Sequence, residues 1–155
     1  MIGKEIFFFF KAAIFAFIAL TLIPKELYKK YFVYGLFFGG LGDYVMTIIL
    51  EKIFHLMKYK NMGIFNIADL VSFWTPIAWM CVFSFFLYLL PHRKTFLIPY
   101  VLAFAIFGHT VGLTLQNIGL FQYHGAFIYF APLVFMVWFS VSAWMFIRIE
   151  KIRLQ

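Results

Sequence analysis

Few of the 155 residues combine acid–base or ligand chemistry with a place outside the charged turns. They are Asp43 in GLFFGGLGDYV, His109 in GHTVGLTLQN with Gln116 and Asn117 behind it, and Thr75 in SFWTPIAW. Asp43 sits in an apolar run long enough to cross a bilayer, where a charge at the centre costs at least about 2.5 kcal/mol. It is therefore expected to be protonated, paired or hydrated. His109 is the expected partner, because an imidazole holds or passes a proton near neutral pH. An Asp43–His109 contact would bind a cation, shuttle a proton or orient a polar ligand. As a plain buried hydrogen bond it would only tie two helices together. Gln116, Asn117 and Thr75 complete the candidate ligand- or ion-binding set.

Other chemistry finds little support. There is no Walker loop, no dinucleotide fingerprint, no G-x-S-x-G and no H-E-x-x-H, so no catalytic residue and no cofactor is assigned. His55, His92 and His124 fall in turns, where solvated histidine is the ordinary expectation. Cys81 is the only cysteine, which excludes an intrachain disulfide and a cysteine-based metal site. No metal ligands are assigned.

The elements that must position these groups follow from composition. The chain is 65% hydrophobic and 24% aromatic with only 12% charged residues, the balance of an integral membrane protein. Charges cluster between apolar runs, and the spacing predicts five transmembrane helices over about 6–23, 31–50, 66–90, 96–118 and 126–147. A possible interfacial segment covers 51–65. The fold expected is a single all-α membrane domain over 1–155. Lys11, close to the start of the first span, is expected to snorkel to the headgroups. In the second span Gly35, Gly39, Gly40, Asp43 and Thr47 share one helical sector, which should face protein. Asp69 is expected near the N-terminus of the third span and Pro76 inside it, kinking it.

Lys and Arg flank the spans, where they set orientation, so the net charge of +7 points to lipid headgroups and away from nucleic acid. Five spans put Lys25, Lys29, Lys30, Arg93, Lys94, Arg148, Lys151 and Arg153 on one side, against Lys4, Lys52, Lys58 and Lys60 on the other. The richer side should be cytoplasmic, giving N-out and C-in. Asp43 and His109 then lie about 4 Å and about 3 Å past their helix midpoints, both in the outer half.

The layout of LIPKELYKKYF, the Asp in GLGDYV, DLVSFWTPIAW and the late LFQYHG is similar to small multi-pass membrane proteins of endospore-forming bacteria. That resemblance covers most of the chain and implies four or five helices in a bacterial cell membrane, without a particular activity. SFWTPIAW also looks like the W-x-P-P signature of the five-helix tryptophan-rich sensory or translocator proteins. Their double proline follows the first helix, however, so their porphyrin and sterol binding is not carried over. The functional expectation is binding or transport of a small molecule or ion through a polar site in the outer half of the bundle. The alternatives are an accessory subunit packing its glycine stripes on another membrane protein or on itself, and an intramembrane enzyme acting on lipid or isoprenoid.

Overall fold

The computed structural model describes residues 3–155 and holds five helices: α1 (Ile6–Leu22), α2 (Lys25–Ile53), α3 (Trp74–Tyr88), α4 (Lys94–Asn117) and α5 (Phe127–Ile149). Three of them, α2, α4 and α5, are long and apolar enough to cross a membrane, at 29, 24 and 23 residues. The fold is all-α in its main body, and these helices make it a membrane protein. The other two helices are apolar but shorter, with 17 residues in α1 and 15 in α3. A full hydrocarbon crossing takes about 20 helical residues.

Helix α3 is the hub. It packs against α1 and against the glycine-bearing part of α2, and Val82, Phe83, Ser84 and Phe86 on it are fully buried. Around it the core is aromatic: Phe83 stacks on Phe139 at 4.6 Å, Phe86 stacks on Tyr100 at 5.3 Å, and Trp79 meets Trp138 at 5.4 Å. On α1 the buried stripe is Phe8, Ala12, Phe15 and Ala19, a helical period of three to four residues.

The expected small-residue sector of α2 is buried throughout: Gly35, Gly39, Gly40, Asp43 and Thr47. A Cβ at Gly35 would overlap Ser84 Oγ and the Met80 carbonyl, and one at Gly39 would overlap the Trp79 carbonyl. The glycines therefore let α2 and α3 meet backbone to backbone. Two stretches of α2, Leu36–Leu41 and Ile48–Ile53, are π-helical. In the first, the Phe38 carbonyl accepts a 2.8 Å hydrogen bond from the Trp138 indole on α5.

Four short strands lie between the helices. β1 (Met57–Tyr59) pairs antiparallel with β4 (Phe121–Tyr123), Met57 opposite Tyr123 and Tyr59 opposite Phe121. This ribbon ties the α2–α3 connection to the α4–α5 connection, and Lys60 N donating to Leu120 O extends it. β2 (Asn66–Ile67) and β3 (Val71–Ser72) form a small hairpin. The opposite end is held by the tail: Gln155 N donates to His92 O, Lys94 N donates to Gln155 O, and Lys30 and Tyr34 of α2 both donate to the Glu150 carboxylate. These are called below the ribbon end and the tail end.

Four expectations change. The third helix begins at Trp74 and not at residue 66, because Ala68 and Asp69 have positive φ and turn the chain back on itself. Asp69 is an exposed turn residue whose N–H donates to Asn66 Oδ1, an Asx-type turn in place of a helix start. Pro76 is the third residue of α3, within the first turn, where a missing N–H costs no helical bond, so it does not kink a span. The segment 51–65, expected as an interfacial stretch or as an extension of the second helix, holds the end of α2 as far as Ile53, then a loop and β1.

Candidate functional site

A cavity of about 50 Å³ lies between α1, α2, α4, α5 and the ribbon, bordered by Lys11, Asp43, Thr47, Tyr59, Tyr123 and apolar side chains such as Met57 and Phe127. Asp43 is 4% exposed, and its Oδ2 receives no hydrogen bond from any described residue. Thr47, one turn further along the same face, is fully buried with its Oγ1 equally without a partner. Leaving a buried polar atom unsatisfied costs about 1–3 kcal/mol, and more for a charged group. Both residues border the one cavity.

Across the cavity from Asp43 stands Lys11 of α1, half-buried, with its Nζ donating to Thr75 Oγ1 at 3.3 Å and lying 5.4 Å from the centre of the Phe8 ring. Its side chain turns inward, against the expectation that it snorkels. The reason is its position on the buried stripe of α1, three residues after Phe8 and four before Phe15, so the stem follows that stripe to the Thr75 hydroxyl. Lys11 also borders an apolar groove of about 290 Å³ between α1 and α4, lined by Phe7, Phe10, Ile14 and Phe107. An ammonium and a carboxylate thus face one water-sized volume from two helices.

The ribbon closes the cavity. Burial holds the Tyr59 hydroxyl well above the usual phenol range, reinforced by the Asp43 carboxylate, and burial does the same for Tyr123. Both remain protonated hydroxyls at any physiological pH. Gly112 of α4 makes room here, since a Cβ on it would overlap the Tyr123 hydroxyl.

Of the sequence-expected set, Asp43 borders the cavity and Thr75 holds Lys11 at its edge. Asp43 and His109 are not brought together: no hydrogen bond or ion pair joins them among the described residues. His109 Nδ1 instead lies 3.4 Å from the Tyr123 hydroxyl, so it supports the cavity wall from behind. Gln116 Oε1 accepts the Tyr123 N–H at 2.8 Å, fixing β4 on the end of α4. Asn117 is exposed at the last turn of α4. Thr110 and Thr114, in the same polar series, are exposed and bond back to the carbonyls of Ile106 and Thr110 on their own helix. Among the described residues no group of three or more His, Cys, Asp and Glu side chains could hold a metal ion.

Sequence reasoning missed Lys11, Tyr59 and Tyr123 as members of the site. The helical face of α1 could have found Lys11. The tyrosines come from β1 and β4, whose pairing spans more than sixty residues of chain and leaves no local signal. Comparison with known proteins adds no relative: no family model, curated protein or solved structure matches the chain.

Proposed function

We propose that this is a five-span protein of a bacterial cytoplasmic membrane, N-terminus out and C-terminus in, that takes up and hands on protons at Asp43 in the outer half of the bundle. The observation that carries the reading is the Asp43 Oδ2 atom, buried, without a donor among the described residues, and facing Lys11 across a cavity of about 50 Å³. That volume has room for water or a single ion, whereas pockets for organic ligands run to about 300–1,000 Å³. Within that limit the donor set favours a proton. A hard metal cation takes about six or more oxygens, while this wall offers one carboxylate, one threonine hydroxyl and two phenols beside an ammonium. A proton needs a single lone pair on Asp43, a carboxylate whose burial as a charge is costly.

Five spans are supported by the alternation of ends. The connections after α2 and α4 meet at the ribbon, while those after α1 and α3 and the C-terminal tail carry the basic residues of the tail end. The accessory-subunit alternative drew on the glycine stripe of α2, and that stripe is filled by α3 of the same chain. The test is proton flux in proteoliposomes that enclose a pH dye, driven by a potassium diffusion potential. The wild-type protein should change internal pH faster than empty vesicles, and Asp43→Asn should abolish the difference. Wild-type flux equal to that of empty vesicles, or full flux in the Asn variant, overturns the proposal.

A further inference from the structure

The polar face of α2 does not stop at Thr47. Glu51 continues it, eight residues after Asp43 and about 12 Å along the helix. It is 8% exposed, and its Oε2 also has no hydrogen-bond partner among the described residues. Asp43, Thr47 and Glu51 thus repeat every fourth residue, each buried and each with an oxygen that the protein leaves unpaired. Chance placement of polar residues on a lipid-facing or core-facing helix would not bury three in register, since each is disfavoured on its own.

The two ends of this row differ in setting. Asp43 and Thr47 border the internal cavity. Glu51 lies in the last turn of α2 at the ribbon end, where exposed Lys52 and Lys58 and the partly exposed His124 are its charged or titratable neighbours. His124 itself is held there by its N–H to Leu56 O and by its Nδ1 at 3.0 Å from His55 O. Tyr59 of β1 borders the cavity together with Asp43 and Thr47. Lys11 on α1 and Tyr123 on β4 complete the titratable groups facing the row.

We infer that Asp43, Thr47 and Glu51 form a proton path along one face of α2, joining the internal cavity to the ribbon end, with Glu51 as the acceptor on the solvent side. The inference rests on the proton-uptake reading of Asp43 and deepens it by giving the route of access. A proton from the aqueous side binds a Glu51 carboxylate oxygen. It passes to the Thr47 hydroxyl oxygen, directly or through a bridging water, as the hydroxyl's own proton moves to Asp43 Oδ2. Each O–H bond formed is matched by one broken. Rotation of the threonine hydroxyl then restores the starting arrangement.

The experiment is the same proteoliposome flux measured for Glu51→Gln, Thr47→Val and Glu51→Asp, with thermal unfolding in detergent to establish that each variant folds. Glu51→Gln should slow flux by at least about ten-fold, as loss of a positioned proton-transfer group does. Thr47→Val, nearly the same shape without the hydroxyl, should slow it several-fold, and Glu51→Asp should restore part of the rate. If Glu51→Gln fails to fold, Thr47→Val carries the test alone. Flux that depends on Asp43 but is unchanged in folded Glu51→Gln or Thr47→Val overturns the path and leaves the proposed function standing. Wild-type flux no faster than that of empty vesicles overturns both.

Discussion

Replacing Gly39 with alanine tests whether α2 and α3 meet backbone to backbone. An ideal Cβ at Gly39 overlaps the Trp79 carbonyl oxygen and lies 2.6 Å from its carbon and 2.9 Å from Phe83 Cδ2. The carbonyl is part of α3 and cannot rotate away, so the helices must separate by about 1 Å. A gap of that size forfeits roughly a quarter to a half of the dispersion energy between the facing atoms. Overpacking of this kind costs about 1–3 kcal/mol, and the upper part of that range applies because the obstacle is backbone. Alanine recovers about 1 kcal/mol of helix propensity over glycine. The net expectation is a loss of about 2 kcal/mol.

Gly40 is the internal control. Its added Cβ would lie 3.3 Å from Leu36 Cδ1 and 3.3 Å from the Pro76 carbonyl, tight contacts that small shifts relieve. Gly40→Ala should therefore be neutral or slightly stabilising, with the propensity gain unopposed. The assay is unfolding of both variants in the same detergent. At about 2–4 °C per kcal/mol for a chain of this size, Gly39→Ala should melt several degrees below Gly40→Ala. Equal melting temperatures for the two variants would refute the packing argument.

Three further outcomes are expected. Trp138→Phe removes the indole donor from the Phe38 carbonyl and leaves an acceptor in the π-helical turn unpaired. It should cost about 1–3 kcal/mol in the same unfolding assay. Glu150 is held below the ordinary glutamate value of 4.5 by the hydrogen bond from Lys30 and then by that from Tyr34. A depressed folded value means that this contribution is complete above the ordinary value and is lost as pH falls through the lower folded one. Glu150→Gln should therefore flatten the acid side of the stability profile below about pH 5, by a small amount because the pair is partly exposed. Finally, in a Cys81→Ala background, a cysteine at Lys60 should react with an impermeant maleimide from outside intact cells and one at Arg153 only after lysis. The reverse pattern would invert the proposed topology.

Much of the molecule could be read from its residues, and the limits have physical causes. The inward face of α2 was legible because small residues at helical spacing inside an apolar run have one sensible use, close helix contact. Asp43 stood out in the sequence because a carboxylate there is costly. Its partner did not, because depth along parallel helices was the only guide. Depth could not show that the Tyr123 hydroxyl lies against His109. Lys11 was misjudged because a lysine near a helix end usually reaches water, and the buried stripe from Phe8 to Ala19 overrode that preference. The start of α3 was misplaced because Asn66 to Phe73 is apolar enough for a span, although Asn66 and Asp69 are turn formers. The ribbon depends on strands far apart along the chain and leaves no periodic trace.

The β1–β4 ribbon also orders assembly. β1 emerges from the ribosome before α3, and β4 only after α4, so the two strands cannot pair until four helices have been made. Until then the cavity around Lys11, Asp43 and Thr47 lacks the Phe121 and Tyr123 side of its wall.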